Sequence, residues 1–198
     1  RAFGELDILH EDQVTDDSLQ GYELLVLFDV ELLPEKVAEH IARFVENGGA
    51  VIADCVPRLG ADRQPMSTME KLFGVKDAAT GRIRRAGHWV PYKKQPPIWA
   101  NRPADAPDET VCTTDSLKAE AFNTALDLTL VSPRPSTVTT GQVLASTASG
   151  QPAVVHRSVG RGQVFLLGFC LQDTYFKTWE DDSTASRDQL GTLLGAMT

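Results

Sequence analysis

The chain has 198 residues, with 19 basic and 27 acidic side chains and a formal charge of −8. No cationic cluster exceeds Arg82, Arg84, Arg85 or Lys93, Lys94, and phosphate neutralisation takes several clustered cations, so nucleic acid is excluded as an expected partner. The composition, 42% apolar and 23% charged, is that of a globular domain with no run near the ~20 apolar residues of a membrane span.

Three cysteines, Cys55, Cys112 and Cys170, are too few and too far apart for a disulfide framework or a metal-ligand spacing. They point to reduced thiols, hence to a cytoplasmic setting, with no metal and no cofactor expected. Arg1 stands where a start residue would be, and residues 2–9 already approach a strand. The expectation is a single α/β domain over residues 1–198, cut from a longer polypeptide.

In chain order, residues 6–9 form a short strand candidate, followed by a polar stretch over 10–20. Residues 22–28 (Tyr-Glu-Leu-Leu-Val-Leu-Phe) are nearly continuously apolar, as in a parallel strand covered on both faces. Residues 34–47 predict a helix. Pro34 suits its first turn, and Val37, Ile41, Phe44 and Val45 fall on one stripe. His40 is expected to face solvent. Gly48-Gly49 ends this helix, and residues 50–53 form a second buried strand that delivers Asp54 and Cys55 into a loop. Strand, helix, strand at this spacing is a βαβ unit.

Ser67-x-x-Glu70 predicts a capping box opening a short helix that Gly74 closes. Between residues 80 and 135 prolines crowd and periodicity fades, so an inserted irregular region of short strands and loops is expected there. Its best strand is 124–131, with Leu126, Leu128 and Leu130 on one face. Residues 142–146, 152–159 and 163–168 read as strands, with Gly160-Arg161-Gly162 as a hairpin turn. Residues 172–182 read as a polar stretch carrying Tyr175, Phe176 and Trp179. A last helix starts near Ser186, with Leu190, Leu193, Leu194 and Met197 in register.

In open α/β sheets, ligands meet the carboxyl ends of the parallel strands. Cys55 lies there, after a strand that follows a Gly-Gly-terminated helix, and this order resembles class I glutamine amidotransferases. The chain is more closely similar to the amidotransferase-like trimerisation domain of bacterial β-galactosidases of the glycoside hydrolase 42 type. The stretches that carry the resemblance are residues 21–27, Phe44-Val45-Glu46-Asn47-Gly48-Gly49, Gly150-Gln151-Pro152-Ala153-Val154-Val155, and 160–169. It implies a flavodoxin-like, amidotransferase-like parallel sheet flanked by helices. It also implies a parent glycosidase with two catalytic carboxylates on a barrel, and a role for this domain in a homo-oligomer, a trimer by resemblance. The domain's other expected partners are the rest of its polypeptide, whose active-site wall it could shape, and carbohydrate.

The amidotransferases surround their nucleophile with Gly-x-Cys-x-Gly, whereas here the flanking positions are Ala53 and Pro57. Proline fixes φ and has no N–H, which opposes the usual nucleophile turn. The family's His-x-Glu is absent from the matching stretch Phe169-Cys170-Leu171-Gln172. Cys55 is therefore read first as an inert thiol and second as the catalytic candidate of an amidase or hydrolase, with His88 as its conceivable base. Asp54 and Arg58, with Asp62 nearby, are the best-placed polar groups for a ligand. Trp89 and Trp99, among prolines, are candidates for a sugar-stacking shelf or a subunit contact. A stand-alone sugar- or small-molecule-binding domain is the third reading. His156 reads as a structural strand histidine, and consecutive His10, Glu11 and Asp12 have poor geometry for a chelate.

Overall fold

The computed structural model describes residues 6–76, 78, 114–121 and 124–197. The first short helix, Asp16–Leu19 (α1), leads into strand Leu24–Leu27 (β1). β1 pairs in parallel with Ala50–Ala53 (β2), Leu24 opposite Ala50 and Leu27 opposite Ala53. Helix Glu35–Glu46 (α2) crosses between them, with Pro34 at its N-cap, where the missing N–H breaks no helix bond. Val37, Ile41, Phe44 and Val45 lie on its buried side, as the 3.6-residue period dictates. Gly49 lets the Phe44 ring lie against the backbone; a Cβ there would sit 2.3 Å from the ring.

Further along come helix Thr68–Phe73 (α3), the two-residue strand Val75–Lys76 (β3), and the long antiparallel pair Thr114–Ala121 (β4) and Thr124–Val131 (β5). Thr137–Val138 (β6) pairs with β3. Gln142–Ser146 (β7), Pro152–Val159 (β8) and Gly162–Leu167 (β9) follow, and Leu171–Glu180 (α4) and Thr184–Gly195 (α5) complete the order. The main sheet runs β1-β2-β9-β8-β7. It is mixed: β1, β2 and β9 are parallel, while β8 and β7 are antiparallel. The 160–162 stretch forms the tight turn of the β8–β9 hairpin, with Gly160 at φ 59°.

Alternation along the strands splits the core in two. Val51, Ala53, Val164 and Leu166 face α2 and α3. Ile52, Phe165, Leu167 and Val154 face the opposite way, onto Leu117, Leu126, Leu128 and Leu130 of the β4–β5 pair and Leu190 and Leu193 of α5. Within the expected irregular region, β4 and β5 are thus a regular antiparallel pair whose leucines contribute to the second core.

Four local expectations are corrected. Residues 6–9 form no strand, and Leu6 and Ile8 are exposed. His40 is buried, because α1 packs beside α2 and sets Asp16 Oδ1 2.7 Å from His40 Nδ1. Arg43 Nε donates to both Asp16 oxygens at 3.0 Å, and together with His40 it holds the Asp16 carboxyl below its usual range. The Ser67 side chain makes no cap bond and Glu70 pairs with Arg58, so the capping box does not form. The polar stretch after β9 is a helix, α4, which buries Thr174 and Thr178 while its aromatics stay exposed; α5 then starts at Thr184, capped by Ser183.

Glycine decides how closely the β8–β9 turn seats on the end of α2. A Cβ on Gly162 would fall 2.2 Å from the carbonyl oxygens of Val45 and Gly49, so Gly162→Ala is expected to cost about 2 kcal/mol or more. Gly191, inside α5, has nothing within 4 Å of such an atom, and Gly191→Ala should stabilise by up to about 1 kcal/mol. Urea denaturation of the two variants checks both signs.

Candidate functional site

The carboxyl ends of β1, β2 and β9 converge on one buried polar knot. Asp54, immediately after β2, is 1% exposed. Its Oδ1 accepts the backbone N–H of Asp29 at 2.6 Å, just past β1. Its Oδ2 accepts the N–H of Leu171 at 2.9 Å, the first residue of α4. Arg134 completes the set from the link between β5 and β6. Its Nη1 donates to Asp54 Oδ1 at 3.0 Å and to Asp54 O at 2.6 Å, and its Nη2 donates to Asp29 Oδ1 at 2.8 Å.

Backbone geometry holds each partner in place. Arg134 stands between Pro133 and Pro135, and its own N–H donates to Gly168 O at 2.7 Å, which ties the link to the end of β9. Asp29 adopts φ 57°, a left-handed conformation that aspartate tolerates better than most residues, and this turns its N–H toward Asp54. Thr174 of α4 accepts the N–H of Val131 at 3.0 Å, so β5 and α4 are joined beside the knot.

Burial raises the Asp54 carboxyl above its usual range, while Arg134 and the two backbone N–H groups pull against that rise. Burial likewise opposes the charge of Arg134, but Asp54 and Asp29 outweigh it and hold the guanidinium protonated. The chemical meaning is plain. The first N–H groups of a helix are where an external anion would bind, and here Leu171 N–H is taken by an internal carboxylate.

Cys55 lies next to this knot but is 4% exposed. Burial pushes its thiol up to about 12, and that of the equally buried Cys170 up to about 11. A cysteine nucleophile needs the opposite, a thiolate at neutral pH made by a base or a positive field. The described histidines sit elsewhere: His40 on Asp16, His156 stacked on Phe165 at 4.8 Å between centroids, and His10 before the 3-10 turn Glu11–Gln13.

The remaining candidates divide between inward-facing groups and the undescribed stretch. Arg58 pairs with Glu70 Oε1 at 3.0 Å and donates to Ala78 O at 2.6 Å. Asp62 accepts Gln64 N–H at 3.0 Å within its own turn. Trp89, Trp99 and His88 lie outside the described residues. Arg134, the centre of the knot, was not singled out from the sequence. Its one signal is a lone arginine held between two prolines directly after a strand.

On the outer surface α4 presents Tyr175, Phe176 and Trp179, with Arg187 of α5 stacked 4.1 Å from the Trp179 ring centre. Beside them a shallow apolar groove of about 250 Å³ is lined by Phe28, Leu171, Tyr175, Leu190 and Leu194 among others. Among the described residues no group of three His, Cys, Asp or Glu side chains is placed to hold a metal ion, and no helix is long and apolar enough to cross a membrane.

Comparison with known proteins gives these features a setting. A family model described as "Beta-galactosidase trimerisation domain" matches residues 1–182. The fold is similar to part of the polyextremophilic β-galactosidase of the Antarctic haloarchaeon Halorubrum lacusprofundi (TM-score 0.55, 15% identity, 90% of this chain and 22% of that one). It is also similar to part of an exo-β-1,4-mannosidase from Opitutaceae bacterium strain TAV5 (TM-score 0.58, 14% identity, 96% and 28%). A cytoplasmic protein of Salmonella typhimurium, STM3548, shares the fold over 93% of this chain and 74% of its own (TM-score 0.56, 10% identity). The chain spans less than a third of the length of the two glycosidases. Among curated proteins, none matches it in sequence.

Removing Arg134 should leave the buried Asp54 with its two backbone N–H donors but without its opposite charge. Arg134→Met is expected to lose about 3 kcal/mol or more of stability at pH 7. Without the guanidinium the folded-state pKa of Asp54 lies still higher, so the folded variant binds the proton more tightly than the unfolded chain, and the deficit shrinks as pH falls. Urea denaturation at pH 7 and pH 5 measures it. The thiols give the complementary test at alkaline pH. An unfolded chain releases their protons from about pH 8.5, whereas Cys55 and Cys170 in the fold hold theirs toward about 12 and about 11. Their contribution is whole below the unfolded pKa and is lost as pH rises through the folded values, with a slope of up to about 1.4 kcal/mol per pH unit for each thiol. Cys55→Ala should flatten that decline relative to the parent chain, and native Cys55 should react with iodoacetamide far more slowly than the denatured thiol.

Proposed function

Because the chain belongs to the β-galactosidase trimerisation domain family, we propose that it is a single non-catalytic α/β module that assembles the subunits of a carbohydrate-active enzyme. The observation that carries this reading is the self-filled knot. The crevice where an open α/β sheet usually takes its ligand is occupied by Asp54, Arg134 and Asp29 of the chain itself. The protonated, buried thiol of Cys55 supports the same reading, because it lacks what thiolate chemistry requires.

In this proposal the partners are the rest of the same polypeptide and two further copies of it, and the glycosidase chemistry belongs to a pair of carboxylates in the parent. The domain borders the parent's active site and shapes its wall. The wide cysteine spacing and the cytoplasmic neighbour support a cytoplasmic location. A stand-alone binding domain is the second reading, favoured by the Salmonella protein, most of whose length is this fold. Carbohydrate would then be the ligand, and Trp89 and Trp99, with Asp54 and Arg58 at the strand ends, the residues to examine.

Light scattering on the parent polypeptide separates the two. The assembly reading expects the mass of three copies, falling to one when this domain is removed, with both mass and turnover unchanged by Cys55→Ser. A single-copy mass with the domain in place would overturn it, and loss of turnover in Cys55→Ser would revive the hydrolase reading.

A further inference from the structure

Of the asparagines in the sequence, Asn47 alone is followed by glycine. An Asn-Gly pair is open to a covalent change that needs no enzyme, because glycine has no Cβ to hinder its own nitrogen. The backbone nitrogen of the glycine gives up its proton and attacks the asparagine Cγ. A C–N bond forms to close a cyclic imide, and the side-chain nitrogen leaves as ammonia, taking up the proton that was given. Water then opens the imide at either carbonyl, which yields aspartate or isoaspartate. Asn47 and Gly48 are both exposed, so water and base reach them.

The fold sets this pair in a geometry that cannot close the ring. Asn47 caps α2 with ψ at 0°, which eclipses the Gly48 nitrogen with that of Asn47 and holds it away from Cβ. Gly48 N–H donates to Val45 O at 2.9 Å and Gly49 N–H to Phe44 O at 3.0 Å, the paired bonds of a Schellman cap, with Gly48 at φ 116°. The β8–β9 turn lies across this cap. Arg161 N–H donates to Glu46 O at 3.1 Å, Arg161 Nη2 to Asn47 O at 3.0 Å, and Gln163 N–H to Gly49 O at 3.3 Å. Attack on Cγ requires the peptide between Asn47 and Gly48 to swing as one plane about ψ. That swing breaks the Gly48–Val45 bond and the Arg161–Asn47 bond together, and the turn above leaves it little space: a Cβ on Gly160 would stand 2.5 Å from Glu46 O.

We propose that Asn47-Gly48 is a self-modification site that the β8–β9 turn holds shut, so that lifting of the turn from the end of α2 commits the chain to an irreversible change. Both products oppose reclosure. Aspartate places a negative charge at the negative end of the α2 dipole. Isoaspartate adds a methylene to the main chain between residues 47 and 48, so the N–H groups of Gly48 and Gly49 no longer both reach Val45 O and Phe44 O. The carbonyls against which Gly160 and Gly162 seat then lose their positions. A local opening that would otherwise be reversible is thereby converted into a lasting one, and the lifetime of the folded chain comes to depend on this contact. This inference is independent of the assembly reading.

Peptide mapping by mass spectrometry tests this on the parent polypeptide, incubated at mildly alkaline pH with and without urea. Conversion at Asn47 should run at least about 20-fold slower in the folded chain than in urea. Arg161→Ala removes the guanidinium bond from Asn47 O and should speed conversion in the folded chain by about 5-fold or more. Arg134→Met, which weakens the fold far from this cap, should speed it less than Arg161→Ala does. Equal rates with and without urea would overturn the proposal, as would the absence of conversion in urea. So would an Arg161→Ala rate equal to that of the parent, or a faster rate in Arg134→Met than in Arg161→Ala, because global unfolding and not the turn would then be the gate.

Discussion

A carboxylate placed at 1% exposure has to be answered by donors, and the way this is done at Asp54 organises the molecule. Three segments far apart in sequence supply the donors: the turn after β1, the β5–β6 link, and the start of α4. Because all of them must arrive for the carboxylate to be satisfied, the knot couples the βαβ half of the sheet to the hairpin half. Buried ionic groups are poor sources of net stability but costly to break. Here the arrangement acts chiefly to fix which segments meet.

The knot also explains how a fold with a general capacity for ligands can become a scaffold. Strand ends and a helix N-terminus still converge, and a thiol, Cys55, still lies at the strand end. The helix N–H is nonetheless taken by Asp54, and burial holds the thiol protonated. The strand-end crevice is filled by the chain's own polar groups, in keeping with a family described by assembly and not by a reaction. The apolar features that remain are peripheral: the β1 edge, the exposed aromatics of α4, and the groove beside Phe28.

Much of the fold was legible because its signals are local. The stripe Val37, Ile41, Phe44, Val45 and the apolar run 50–53 state a βαβ unit whatever surrounds them. Gly160-Arg161-Gly162 allows few structures other than a turn, and alternating leucines placed 124–131 as a strand. The errors came where a neighbour decides. His40 is buried only because α1 packs over it, and α4 is amphipathic in a way that its polar composition conceals. The capping box at Ser67 does not form, and its Glu70 pairs with Arg58 from another segment.

The sequence by itself determined the class of fold, the family resemblance, and the lack of an amidotransferase's catalytic surroundings at Cys55, since these rest on residue identity and short-range period. Tertiary structure alone decided what Asp54 does. Its guanidinium partner lies 80 positions away, in a stretch whose prolines and weak periodicity read as irregular. No local pattern encodes a contact between two single residues at that separation. It exists because the sheet brings three strand ends to one point and leaves a buried charge there to be matched.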